Sequence, residues 1–394
     1  MVKATQRGFT LLEIVISIAL LVMIIAVLMN GFGPWLTFKQ KLETEQVLKD
    51  LQQATTAFYR TNHWNIVNAE NAGTGGPGVF STATGTLSTG TAPGSSTIRT
   101  TCPGGTAGYD PSDTTAQEAN LKPLEPYLSR SLKNVISDGF NNAMCVLISP
   151  RQVKMYQGAP IYYHAVAFIA PGNNTTIDDN TQFVQDSDLG WVLSLGGDDA
   201  GITMDGFQVG LENYQISMNR IQRYAKSYET YFSIRYLSKK DRDYTLNYFY
   251  ANDGSNNGDS GNVDSSGQPI PEVMLGWTKQ VSGGWTDADV FSSVLDDIPA
   301  GASGQTNQFS AVLGISRSDS INAWGKPIYV DNRSIRVKSG VDGSGKKMQP
   351  PFSAQFGTFL PGTNTSADST CVSTPNDAGA TCPTFITSTA TGQY

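Results

Sequence analysis

Gly8-Phe9-Thr10-Leu11-Leu12-Glu13-Ile14-Val15-Ile16-Ser17-Ile18-Ala19-Leu20-Leu21-Val22-Met23-Ile24-Ile25-Ala26-Val27-Leu28 is the stretch on which the reading of this chain turns. From Phe9 to Leu28 it is an apolar run of about 20 residues, or about 30 Å of helix at about 1.5 Å per residue, the depth of a bilayer core. Lys3 and Arg7 precede it, and one carboxylate, Glu13, sits near its start. A carboxylate at mid-membrane costs about 2.5–3.5 kcal/mol on insertion scales, so one that persists there usually has a task. The task competes with a bland alternative, in which Glu13 lies at headgroup level and reaches water. A secretory signal is excluded because the run is too long for its apolar core and continues into Met29-Asn30-Gly31-Phe32-Gly33-Pro34-Trp35 without a small-residue cleavage site.

Gly8-Phe9-Thr10-Leu11-Leu12-Glu13 resembles the signal of type IV prepilins. The resemblance implies cleavage by a prepilin peptidase between Gly8 and Phe9, N-methylation of the new terminal Phe9, and an assembly role for Glu13 as the fifth mature residue. A carboxylate four residues beyond a new α-amino group fits that role, since it can neutralise the amine of a neighbouring subunit away from water. The resemblance covers about 25 residues, and the rest of the chain is read from its own residues.

Outside the N-terminal run there is no second stretch of spanning length. The net charge is −7 and no basic cluster stands out, which argues against a nucleic-acid partner. The four cysteines, Cys102, Cys145, Cys371 and Cys382, form no Cys-x-x-Cys pair, and with two histidines in the chain a zinc site is not expected. Outside the cytoplasm two disulfides are the default, and four cysteines allow three connectivities. One bridge per module gives Cys102–Cys145 and Cys371–Cys382.

Gly31-Phe32-Gly33-Pro34 is a helix-weakening cluster, expected to kink or locally melt the first helix. Helical spacing resumes with Leu48, Leu51, Ala54 and Phe58 and fades after Trp64. Residues 65–120 read as a Gly/Thr/Ser/Pro-rich excursion containing a short hairpin. Strands are expected at Cys145–Ile148, Val153–Tyr156, Ile161–Ala170 and Trp191–Leu195. A second helix starts near Phe207, with the seam Leu211, Tyr214, Met218, Ile221, Ala225, Tyr228 and Phe232. Further strands are expected at Ile328–Val330, Ser334–Val337 and Phe352–Leu360.

The two halves echo each other. Ile161–Ala170 and Phe352–Leu360 both close on Pro-Gly, and turns precede them at Asp138–Ala143 and Asn322–Pro327. The second turn, Asn322-Ala323-Trp324-Gly325-Lys326-Pro327, resembles the Asp-x-Trp-Gly-x-Pro turn of pilins and pseudopilins, with Asn322 in place of the Asp. The expected fold is α+β: a long N-terminal hydrophobic helix leading into two tandem pilin-like modules, each a helix packed on an antiparallel sheet. The boundaries are a leader over 1–8, a transmembrane and assembly helix over 9–30, and modules over 31–200 and 201–394.

No catalytic residues are assigned. Gly258-Asp259-Ser260-Gly261 matches a protease nucleophile signature, but it lies in a polar run without a strand around it or a base in view. Gly340-Val341-Asp342-Gly343-Ser344-Gly345-Lys346-Lys347 nearly fits a phosphate loop, but Lys347 stands where magnesium needs a hydroxyl, and a hairpin is the better reading. Asp253, Ser255, Asn257, Asp259 and Asp264, with Gly258 at the turn, resemble an EF-hand calcium loop; Asp at the last position and the absence of an exiting helix depart from it. Calcium and a plain polar loop both stay open there. The aromatic segment Tyr224–Tyr250 reads as helix packing, with an exposed adhesive surface as the alternative.

The function expected is that of a minor pilin-like subunit of a type IV pilus, inserted in the inner membrane as a single-pass precursor, then carried to the pilus or cell surface, at the tip or in adhesion. Its partners are other pilin subunits and the prepilin peptidase. The alternatives are a pseudopilin of a type II secretion system and a membrane-anchored receptor or enzyme with a pilin-like anchor.

Overall fold

The computed structural model describes residues 11–71, 80, 99–100, 102–103, 109–186 and 190–238, and in shorter pieces 242, 244, 247–249, 291–294, 297–298, 307–308, 310, 313–331, 340–341, 347–348, 350–362 and 385–394. It is an α+β chain. Helix α1, Leu11–Asn71, is 61 residues long and runs through Pro34. The local melting expected at Gly31–Pro34 is therefore absent: proline removes a single backbone donor, and the turns on either side carry the helix across. The helix also outlasts the fading pattern, because Ile66 and Val67 are buried beyond Trp64. Residues 65–71 are thus helix rather than loop.

The chain divides into two compact units. The first comprises Met1–Thr55, Ala83–Ile148 and Val166–Met204. Its sheet has the order β1 (Arg99–Thr100), β2 (Cys145–Ile148), β5 (Ala165–Ala170), β8 (Ala200–Asp205). β2 and β5 pair antiparallel, Val146 opposite Phe168, and every residue of both is buried. Leu48, Leu51 and Ala54 of α1 are buried as the helical spacing requires. A short helix α2 (Thr114–Leu121) is capped by the Asp113 carboxylate, which accepts from Ala116 N at 2.9 Å. A hairpin of β6 (Gln182–Asp186) and β7 (Gly190–Ser194) completes the unit. Cys102 and Cys145 form a disulfide with Cα atoms 4.4 Å apart. It closes a loop of 43 residues, worth about 4 kcal/mol in the chain-entropy account.

The second unit comprises Thr56–Thr82, Ser149–Ala165 and Asp205–Tyr394. Helix α3 (Gly206–Ser238) starts where the Asp205 carboxylate accepts from Phe207 N at 2.9 Å. Its seam faces the core: Tyr214, Ile221, Ala225, Tyr228 and Phe232 are buried, and Leu211 and Met218 pack against them. They meet side chains of a sheet ordered β16 (Phe385–Thr391), β15 (Ser353–Phe359), β12 (Tyr329–Asp331), β9 (Phe291–Ser293). Tyr224, Tyr248 and Phe249 are buried there too, so these rings of the aromatic segment are packing, whereas Tyr244 is 66% exposed.

The strand expected over Ile161–Ala170 is two strands. β4 (Ala159–Tyr163) forms a hairpin with β3 (Gln152–Tyr156), and β5 begins only at Ala165. His164 divides them because its N–H is taken by Tyr59 Oη of α1 at 2.9 Å, and its carbonyl by Gly206 N at 3.0 Å. Small hairpins of β10 (Asp297–Ile298) with β11 (Asn307–Gln308), and of β13 (Gly340–Val341) with β14 (Lys347–Met348), complete the strands. The last of these is the hairpin expected in place of a phosphate loop.

Candidate functional site: an exposed apolar helix and two helix-turn clasps

Among the described residues no helix is long and apolar enough to cross a membrane. Phe9, Thr10 and the side chains of Leu12 and residues 26–31 lie outside the described residues, so the span expected over Phe9–Leu28 falls partly outside them. What is described is an exposed apolar surface. Leu11, Val15, Ile18, Val22 and Met23 are all more than half exposed, and Phe32, Trp35 and Phe38 continue it. In water such a surface is unfavourable by about 25 cal/mol per Å², so it asks for lipid or for other helices. Glu13 lies in the first described turn of α1 and is exposed. Gly8 lies outside the described residues with Phe9, as do Cys371, Cys382 and the calcium candidates Asp253, Ser255, Asn257, Asp259 and Asp264.

Each unit grips its helix by the same device. In the first, Asp138 Oδ1 accepts from Phe140 N at 2.9 Å and Asn142 N at 2.8 Å. In the second, Asn322 Oδ1 accepts from Trp324 N at 2.9 Å and Lys326 N at 2.8 Å. The backbones match as well: Asp138 N donates to Asn142 O and Asn322 N to Lys326 O, and the penultimate residues Asn141 and Gly325 have φ +67° and +75°. The second residue of each turn then donates to a hydroxyl on a helix. Gly139 N reaches Thr44 Oγ1 of α1 at 3.0 Å, and Ala323 N reaches Ser217 Oγ of α3 at 3.1 Å. Each hydroxyl in turn donates to its own helix, Thr44 to Gln40 O at 3.0 Å and Ser217 to Asn213 O at 2.7 Å.

An ion pair accompanies each clasp with its polarity reversed. Asp50 of α1 pairs with Arg130 at 2.9 Å, and Arg223 of α3, at the same step beyond the hydroxyl residue, pairs with Asp319. The Asn322 substitution in the pilin-like turn is explained here. Its Oδ1 does what an aspartate does, while its Nδ2 donates to Thr358 Oγ1 at 2.9 Å and Phe359 O at 3.0 Å. Asp138, by contrast, keeps a carboxyl whose pKa is raised by burial, against the bonds from Asn142 and Phe140.

His63 ties three elements of the second unit together. It is fully buried; Nε2–H donates to Tyr162 O at 2.8 Å, and Nδ1 accepts from Trp324 Nε1 at 3.0 Å. These partners fix the neutral tautomer. Burial lowers its pKa to about 4, against the Tyr162 bond and with a smaller push from His164.

Asp178, Asp198 and Asp199 bring carboxylate oxygens within 4.8 Å of one another in the first unit. Such a set could take a divalent cation, but backbone already uses much of it: Asp198 Oδ2 accepts from Asn173 N and Asn174 N, and Asp199 Oδ2 from Asp178 N and the Thr181 hydroxyl. Burial raises the Asp199 pKa. The sequence signal was the pair Asp198-Asp199 after two glycines, which reads equally as a turn. Thr44 and Ser217 carried no signal at all, since a hydroxyl mid-helix is ordinary until a turn docks on it.

Residues 3–29 match the family model of the prokaryotic N-terminal methylation motif. The chain therefore carries the prepilin signal of type IV pilins and pseudopilins. That signal implies processing by a prepilin peptidase and assembly with other pilins, from a membrane-anchored precursor. Comparison with curated proteins and with solved structures found no match.

Proposed function

We propose that this chain is a minor pilin-like structural subunit of a type IV pilus, with no catalytic role. The peptidase cuts between Gly8 and Phe9, Phe9 is methylated, and the exposed apolar surface of α1 passes from the membrane into the filament. Glu13 there meets the amine of a neighbouring subunit's Phe9. Two tandem helix-plus-sheet modules follow the membrane helix, and the second projects at the tip. The repeated clasp supports the tandem reading: both copies share a turn, a helix hydroxyl and a flanking ion pair. The observation that carries the proposal is the methylation motif at the head of a 61-residue helix with an exposed apolar surface.

Sheared surface filaments from cells producing the wild type and Glu13→Leu test it. The variant should insert and be cleaved, because its span is more apolar, and should be depleted from filaments severalfold. Equal amounts of both in the filaments would remove Glu13 from assembly. A processed protein never found in filaments, and needed instead for export through a type II secretion system, would favour the pseudopilin reading.

A further inference from the structure

An open concavity of about 440 Å³ lies beside the Asp138 turn of the first unit. That volume suits a monosaccharide-sized ligand. Ser112, Ser137, Asn141 and Thr175 are among its lining residues, with Lys133 as the cationic one. No carboxylate and no aromatic ring is among its lining residues.

Its walls are held before any ligand arrives. Asp110 Oδ1 accepts from both the backbone and the hydroxyl of Ser112, at 2.9 and 2.7 Å. Pro111 O accepts from Ala143 N at 2.8 Å, and Asn142 Nδ2 donates to Gly172 O at 2.7 Å. These bonds tie the Pro111–Ser112 segment to Ala143 and the Asn142 turn to Gly172.

Two backbone observations single it out. Thr175 closes the short helical turn Gly172–Asn174 with φ +62° and ψ +8°. A β-branched residue pays a steric penalty in that left-handed region, and residues held so tend to cluster at binding sites. Asn141 also lines the pocket at positive φ, whereas the equivalent position of the second clasp is Gly325. The second clasp shows that glycine suffices for the turn. In the first unit, Asn141 and Thr175 are the described non-glycine residues at positive φ, and both line the concavity.

We propose that this pocket binds an acidic sugar. A ring carboxylate meets Lys133, and ring hydroxyls meet Ser137, Asn141 and Thr175. The chain as a whole is acidic, at −7, so the preference for an anion is local to Lys133 and is weakened by salt. The inference does not depend on which machine the subunit serves.

The test is saturation-transfer NMR on the full mature chain in detergent micelles, with D-glucuronate as probe and D-glucose and acetate as comparators. Glucuronate should bind about tenfold tighter than either comparator, the margin of one charge-assisted contact added to the hydroxyl contacts. Lys133→Gln should erase the margin over glucose. Thr175→Gly should raise the melting midpoint, because glycine relieves the left-handed backbone, and should weaken glucuronate at the same time. That opposition separates loss of a ligand contact from loss of folding. Equal signals from glucuronate, glucose and acetate, no glucuronate signal at tens of millimolar, or unchanged glucuronate binding in Thr175→Gly would each overturn the proposal.

Discussion

His63 and Asp138 carry opposite burial penalties: the fold resists protonation of the imidazole and ionisation of the carboxyl, and the two bear on different pH ranges. A histidine held neutral at about 4 binds fewer protons in the folded state than in the unfolded state between about pH 4 and 6.5. Stability is therefore complete above about 6.5 and falls as the pH drops toward 4, by about 3 kcal/mol on the linkage relation. Protonation at Nδ1 would also set a donor against the Trp324 N–H. His63→Gln should be less stable at pH 7 but should lose far less between pH 7 and 4; parallel losses in chemical denaturation would show that acid acts elsewhere. Asp138 runs the other way. Its carboxyl pKa is raised by burial, so the folded state is disfavoured by the charge once the pH exceeds the carboxylate range. Asn322 shows that an amide satisfies the same turn. Asp138→Asn should thus be the more stable protein at neutral pH, with the advantage shrinking as the pH falls through the carboxylate range. A destabilised variant at pH 7 would mean that the charge itself holds the turn.

At the scale of elements, the helices announce themselves and their fastenings do not. The α3 seam repeats at helical spacing, and nothing outside the helix is needed to read it. β2 and β15 are bounded by turns and by Pro-Gly, which are local signals. The break at His164 is not local, because a tyrosine far earlier in the chain takes its N–H. The end of α1 was misplaced for the same reason: burial of Ile66 and Val67 extends a helix whose own periodicity had faded. The clasps are the clearest case, since Thr44 and Ser217 look like ordinary helix polar residues until Gly139 and Ala323 arrive. Thr44→Val and Ser217→Ala each strand a backbone N–H, at a cost of about 1–3 kcal/mol. Thr44→Ser should restore most of the loss. Gly139→Ala should be worse than either, because a Cβ there would stand 2.1 Å from Gln40 O, although alanine already occupies the matching position 323. Denaturation midpoints that do not move in Thr44→Val or Ser217→Ala would show the clasps to be incidental.

For the whole molecule, the decisive information lies in the first helix, and it was legible because it is chemical rather than geometric. A Gly-Phe junction, a glutamate inside an apolar run and a basic stub are readable without any fold, and the methylation motif at residues 3–29 agrees with them. The Cys102–Cys145 pairing was legible on the assumption of one bridge per module, and the structure forms it. The acidic group of the first unit and the polar concavity were not legible, since their residues come from separate loops that meet only after folding. The proposed role as a pilus subunit stands on processing at one peptide bond. Intact-mass and N-terminal analysis of the chain produced with and without a prepilin peptidase tests it most directly, with Gly8→Val as the uncleavable control. The account predicts a peptidase-dependent product that lacks Met1–Gly8, begins at Phe9 and carries one methyl group on its α-amine, and a Gly8→Val chain that keeps its leader. A chain that keeps Met1–Gly8 in the presence of active peptidase, or one cut at any other bond, would contradict it.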